Sequence, residues 1–398
     1  MSVGCSMHWH KAVELCSLPV GQVGSLCLWL WVPQDDWPGP DCCDLSALFL
    51  QNEPNLPPEK RKNKRIVQRN ETLRSNLVKS GLQFIDRFVE LLKETKDAPK
   101  DTQKKYLQKM LHAIFFFGRI HKTPIEPREF LPEPYQDAFR RLYPAPFEQC
   151  TTHLPTKTPY SILLDYVTEV KRFTTPEELM SFLHSFNAQL WNQSPEEGPH
   201  ALDATKFTFT ASVIACCFYD GPQGGADFHH FYGASLSCKG RHERCIMIAL
   251  SSVKTWHKAV AYAVQHKGDG PAITFPEGVW SQAFQFSVKE QKYQEKSPCE
   301  KCQQLFRNVN FQPPPIAPPN GGPWQYGNCA EVESLSKLLL GTRVVEEGVR
   351  STSTPPLNYE AIERDFTGEI EAKVKAKLIQ KLGSRQFKAK PLQFFSLQ

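Results

Sequence analysis

The sequence predicts a mixed α/β protein, a mainly α-helical N-terminal region followed by an α/β domain. Three observations lead there. Between Glu71 and about residue 192 apolar residues recur at threes and fours, the period of a helix face. After Thr205 the texture changes to short β-like runs set off by Gly-rich turns and alternating with helical stretches. Two cysteine motifs, at Cys299 and Cys329, each stand where a helix begins.

The chain has 398 residues, enough for two domains and a sizeable core. With 40% apolar and 22% charged residues it is neither a wholly disordered nor a membrane composition. The run Val20–Pro33 is too short to span a bilayer and is interrupted by Gly21 and Gly24, so no membrane association is expected. Lys11 and Glu14 flank that run, and no small-residue cleavage site with a charged leader stands out, which argues against secretion. Thirteen cysteines, an odd number scattered through a long chain, read as reduced thiols and place the protein in the cytoplasm, the nucleus or both. The formal charge of +5 fits a nucleic-acid partner and equally fits ordinary solubility.

The 32 prolines gather at 37–58, 123–158 and 312–323, which marks linkers and irregular loops. Lys60-Arg61-Lys62-Asn63-Lys64-Arg65 is a basic cluster, either a nuclear-import or nucleic-acid patch or a solvated approach to the next helix. Leu77, Leu82, Phe84, Ile85, Phe88, Leu91 and Leu92 define a helix ending near Thr95. Tyr106, Met110, Ile114 and Phe117 define a second over 102–119, and the short polar join makes the two an antiparallel hairpin, a surface through which protein partners could bind. Further helices are expected over 158–171 and 176–192, the latter opened by Thr175-Pro176-Glu177-Glu178, an N-cap, a first-turn proline and acids that suit the helix dipole.

In the second half, Phe231–Ser237 and Cys245–Ser251 read as a β-hairpin about Cys238-Lys239-Gly240-Arg241. Lys254–His266 reads as a helix and Ala272–Phe275 as a short strand. Motif helices follow at 298–308 and 329–340, the second ended by Gly341. Ile370, Val374, Leu378, Ile379 and Leu382 line one face of a last, lysine-rich amphipathic helix ended by Gly383, a face better explained by packing on its own domain than by a partner. The expected organisation is an irregular, Pro-rich, basic segment over 1–66, a helical domain over 67–200, the α/β domain over 201–345, and a linker with the basic amphipathic helix over 346–398.

The chemistry is carried by Pro298-Cys299-Glu300-Lys301-Cys302 and Tyr326-Gly327-Asn328-Cys329-Ala330-Glu331. Cysteines at i and i+3 on a first helical turn put two thiolates on one face at a spacing that a tetrahedral zinc ion accepts. Cys329, at another helix start, supplies a third, and both helix N-termini favour the thiolate forms. A fourth position is left for water, whose pKa falls towards neutrality on zinc. Glu331, two residues past the third ligand, stands where a carboxylate can work on that water. Trp324 and Tyr326, just after the Gly321-Gly322-Pro323 turn, suit a pocket mouth where a base would stack.

P-C-x-x-C together with C-A-E resembles the signature of the zinc-dependent cytidine-deaminase superfamily. The resemblance covers about 228–341 and implies a deaminase-like α/β/α domain, with Cys299, Cys302 and Cys329 as Zn²⁺ ligands and Glu331 as proton shuttle. It implies hydrolytic removal of an amine from a cytosine- or adenine-type base, in a free nucleoside or in nucleic acid. The chain departs from the family in order, since the His/Cys-x-Glu element ordinarily precedes P-C-x-x-C and here follows it. In the expected earlier place stands Trp256-His257-Lys258-Ala259, which opens a rival site of His257, Cys299, Cys302 and Cys329, a closed Cys₃His structural zinc with no chemistry. In that alternative the protein is a non-catalytic interaction protein.

Overall fold

The computed structural model describes residues 58–133, 135–192, 209–221, 229–238, 240–268, 270–287, 290, 292–317, 324–388 and 391–397. The Val20–Pro33 run and nearly all of the irregular segment 1–66 lie outside them. The chain is mixed α/β, helix-rich and with several small sheets.

Helix α1 (Pro58–Glu94) takes in the basic cluster at 60–65 and buries Phe84, Ile85, Phe88, Leu91 and Leu92, the stripe expected from the spacing. Helix α2 (Lys100–Arg119) packs on it with Tyr106, Met110, Ile114 and Phe117. Their join is held by side chains, the Gln103 amide donating to the Thr95 carbonyl at 2.8 Å and Thr95 sharing a hydrogen bond with Tyr166. Short helices α3 (Pro127–Phe130), α4 (Tyr135–Leu142) and α5 (Pro144–Gln149) lead to β1 (His153–Leu154). Helix α6 (Pro159–Val170) is apolar on most of its surface and mostly buried. Helix α7 (Pro176–Asn192) opens as expected, Thr175 Oγ1 accepting from the Glu178 amide and the Glu178 carboxylate from the Thr174 amide.

The main sheet contains β2 (Val213–Tyr219), β3 (Phe231–Ala234), β5 (Val279–Ser287), β6 (Lys292–Glu295) and β8 (Asn310–Gln312). Its order is β3-β2-β5-β6, with β8 parallel to β5 on the same side as β6 and the other pairs antiparallel. Alternation along the strands separates two faces. Ile214, Cys216, Tyr232, Ala234 and Phe284 join one core, continuous with Phe84, Phe116, Tyr160 and Phe186 of the N-terminal helices. Cys217 belongs to a second core with Ile273, Phe275, Cys302, Val332 and Leu335. One core therefore runs without a break from α1 across one face of the sheet.

The run Cys245–Ser251, expected as a strand, is the middle of helix α8 (Arg241–Lys254). Its apolar residues also fit a helical face: Ile246, Met247, Leu250 and Val253 are buried together, and α8 packs on the last helix, α14 (Glu371–Gly383). Gly240, with a φ of 101°, makes the sharp turn into it. Helix α9 (Lys258–His266) follows, then β4 (Ile273–Thr274), helix α10 (Glu300–Leu305), β7 (Phe306–Arg307), helix α11 (Ala330–Gly341), helix α12 (Arg343–Gly348), β9 (Arg350–Ser351), helix α13 (Tyr359–Asp365) and a π turn, Phe366–Ile370. Strands β7, β4 and β9 form a small second sheet. Val374, Leu378 and Leu382 of α14 pack into the first core, so its apolar stripe serves its own fold.

The C-terminal strand β10 (Gln393–Phe394) pairs with β1, and Phe395 stacks on His112 with ring centroids 4.1 Å apart. His112 is fully buried, and burial, aided by the neighbouring His153, lowers its pKa to about 3. The unfolded chain takes up this proton at its ordinary pKa, so His112 withdraws stability as pH falls below about 6.5 and stops doing so near 3. From neutrality to pH 4.5 the expected loss is about 2.5 kcal/mol. Urea unfolding of wild type and His112→Leu between pH 7 and 4.5 checks it: the wild-type curve should be steeper by about one proton, and parallel curves would refute it.

Candidate metal centre

Two helix starts meet at one point. Cys299 is the N-cap residue of α10 and Cys329 that of α11, both in extended backbone, with Cys302 one turn along α10. The sulfurs of Cys299 and Cys302 lie 3.7 Å apart and those of Cys299 and Cys329 3.4 Å apart, and all three fall within 4.8 Å of one another. Two sulfurs on one tetrahedral zinc, with bonds of about 2.3 Å, stand about 3.8 Å apart, so the trio has the size of three corners of such a site. Among the described residues this is the one group of three or more Cys, His, Asp or Glu side chains placed to hold a metal ion. The cluster could hold a metal.

The electrostatics agree. Sulfur contacts from Cys302 and then Cys329, with the backbone N–H groups of Cys302 and Lys301, lower the Cys299 thiol to about 2, while the same contacts and burial push Cys302 and Cys329 well up. Three thiols this close gather one negative charge and resist a second. A cation between them removes that resistance, which is why metal binding expels thiol protons.

Glu331, on the first turn of α11, is buried at 4% exposure. Burial first, and then the charge on Cys299, raise its carboxyl to about 7, with hydrogen bonding to Cys302 and the charge of Lys296 acting the other way. A carboxyl that carries its proton about half the time near neutrality is suited to passing one. It is held beside the sulfurs because α11 lies almost on the sheet. Ala330 meets Ala215 and Ala283, and a Cβ on Gly233 would stand 2.4 Å from both the Ala330 carbonyl oxygen and the Ser334 nitrogen.

The rival ligand is elsewhere. His257 is the N-cap residue of α9, its Nδ1 accepting from the Ala259 amide at 3.3 Å and its Nε2 lying 3.0 Å from Glu346 Oε1. Both ring nitrogens are spent, and the backbone N–H donates to Ser336 of α11 at 2.7 Å. His257 braces two helices and does not join the sulfurs. Trp324 and Tyr326 do flank the chain leading into Cys329. Trp324 is 48% exposed, with the Arg244 guanidinium 5.0 Å from its ring centroid. Tyr326 is half-buried, its hydroxyl donating to Gln304 on α10 and the Lys301 ammonium 5.7 Å from its ring.

Cys217, not singled out from sequence as a site residue, belongs to the second core and also stands against α11, its sulfur 2.9 Å from Ser334 Oγ. The period of two along β2 was the available signal. A second group missed is Lys157, Asp165, Glu333 and Lys337, which ties α11 to α6; its only local sign is the Glu333/Lys337 spacing of four. A cavity of about 20 Å³, room for a water molecule, lies between Lys157, Glu333 and Cys329, lined also by Thr158, Ser161, Ser251 and Trp256.

No protein-family model, no curated protein and no solved structure matches the chain. No helix among the described residues is long and apolar enough to cross a membrane.

Proposed function

We propose that the chain is a zinc-dependent, deaminase-like hydrolase acting on a cytosine- or adenine-type base, free or within nucleic acid. The observation that carries this reading is the placement of a buried carboxyl, Glu331, beside three convergent thiols. Two helices that each deliver a thiol at their N-terminus to one point support a deaminase-like core, with the Glu-bearing helix arriving last in the chain instead of first. Three sulfur ligands favour zinc over magnesium or calcium, which prefer oxygen.

Zinc held by Cys299, Cys302 and Cys329 would supply Lewis acidity towards water. Glu331 accepts the proton that water gives up as its oxygen bonds to the amine-bearing ring carbon, and donates it to the ring nitrogen. A second transfer through the same carboxyl reaches the amine, the C–N bond breaks, and ammonia leaves as the carbonyl forms. Water is consumed and no electrons change hands. Trp324, exposed on the segment that leads into Cys329, offers a face for stacking a base.

Glu331→Gln keeps the size and hydrogen bonding of the side chain and cannot take the proton. It should lower ammonia release by on the order of 10²–10⁴-fold while leaving zinc content unchanged. The substrates to offer are cytidine, deoxycytidine, adenosine and single-stranded DNA and RNA, and undiminished activity in the variant would end this assignment. The alternative is an interaction protein whose zinc only braces the α/β half. In its favour, Cys302 and Glu331 are buried and the cavity that reaches Cys329 is too small for a base. It predicts no ammonia from any of these substrates and unaltered zinc in Glu331→Gln.

A further inference from the structure

Helix α11 presents two different faces at its first turns. Cys329 and Glu331 look towards the sulfurs, whereas Glu333 and Lys337 reach the edge of the sheet and helix α6. Among the described residues β3 is an edge strand, so the backbone of Tyr232 and Ala234 on its outer side pairs with no described strand. Lys337 Nζ donates to the Tyr232 carbonyl at 2.6 Å, and Glu333 Oε2 accepts from the Ala234 amide at 3.1 Å. The two side chains of α11 thus finish the sheet edge.

The same two side chains are held from the other side by α6 and the residues before it. Lys337 Nζ is 2.7 Å from Asp165 Oδ1, and Lys157 Nζ is 2.5 Å from Asp165 Oδ2. Glu333 Oε2 accepts from Ser161 Oγ at 2.8 Å, and its Oε1 lies 3.1 Å from Lys337 and 3.7 Å from Lys157. Two cations and two anions form a closed, neutral set. Asp165, which burial would raise, is held well below the usual carboxylate range by Lys157 and Lys337. Beside this set the packing between α6 and α11 is incomplete, since the cavity next to Cys329 opens there. On that side the directed bonds of Glu333 and Lys337 span to α6.

We infer that Lys157 and Asp165 of the helical half are positioning residues for the metal centre, setting through Glu333 and Lys337 where Cys329 stands relative to Cys299 and Cys302. The helical half is then a part of the centre's framework and not a separate module attached to it. This inference rests on the reading that the three thiolates hold a cation, and its test has an arm that does not.

In the full chain, Asp165→Asn removes one charge without changing size. The affinity for zinc ion, measured by competition with a chromophoric chelator, should fall about 10- to 100-fold, the scale seen when a partner that orients a metal ligand is lost. Amide exchange at Ser334 and Leu335 should quicken more than at Ile114 and Phe115 of α2. A second variant, Asp165→Leu with Lys337→Met, removes a cation and an anion together and leaves the set neutral, so overall stability should recover towards wild type. Under the inference its zinc affinity stays low, because the tether is still cut. Wild-type zinc affinity in either variant would overturn it, as would unchanged exchange at Ser334 and Leu335 in both. Should wild type bind no zinc, the metal reading fails on its own, and the exchange arm alone decides whether Asp165 holds α11.

Discussion

Cys302→Ser is expected to release the metal altogether. Protein purified under reducing conditions should carry about one zinc per chain by elemental analysis, and the variant essentially none. Cys302 is the sulfur with the least freedom to be replaced: it is fully buried, it sits in the second core with Leu305 and Val332, and it touches Cys299. A hydroxyl there is a poorer ligand for zinc and a smaller filler. The loss should also appear in folding. A ligand that binds only the folded state stabilises it by about 4 kcal/mol at a thousand-fold excess over its dissociation constant. Adding zinc to chelator-stripped wild type should therefore raise its melting temperature by several degrees, roughly 2–4 °C per kcal/mol for a large domain and less for a whole chain of this length. The same addition to Cys302→Ser should do nothing. Zinc-free wild-type protein, or an unaltered zinc content in the variant, would sink both the metal centre and the chemistry built on it.

The sulfur trio was legible in the sequence because its information is local. A C-x-x-C at a helix start fixes two sulfurs on one face, and Cys329 repeats the same N-cap position on another helix. Meeting of the two helix starts follows from tertiary packing, α11 lying on the main sheet and α10 running into β7 of the small one, which no spacing reveals. The helices of the first half were legible for the same local reason, their apolar stripes being long and regular. Cys245–Ser251 was not, since seven residues of mostly apolar character satisfy a buried strand and a buried helix alike, and only the packing of Ile246 and Leu250 decides. His257 misled because an N-cap is a local polar duty that looks, in sequence, like a spare ligand. Of the charged set only the Glu333/Lys337 spacing of four could be read. Asp165 and Lys337 are separated by 172 residues, and each alone resembles an ordinary surface charge.

Gly233→Ala should be the most damaging single-methyl change in the α/β half. A Cβ at this position would meet the Ala330 carbonyl oxygen and the Ser334 nitrogen at 2.4 Å, and the carbonyl carbon of Glu333 at 3.0 Å. All three are backbone atoms of α11, so no rotamer change relieves the contact. The helix must lift from β3 or β3 must leave β2, to which it is bonded through the Ala215–Gly233 register. Overpacking of this kind costs roughly 1–3 kcal/mol, and more where backbone must move. Lifting the start of α11 also carries Cys329 and Glu331 away from Cys299 and Cys302, so zinc affinity should fall together with stability. Gly368→Ala is the control: nothing stands within 4 Å of a Cβ there and the backbone is helical, so stability should hold or rise by a few tenths to about 1 kcal/mol with zinc unaffected. If Gly233→Ala matched the control in both melting temperature and zinc content, the close seating of α11 on the sheet, and with it the geometry of the centre, would be wrong.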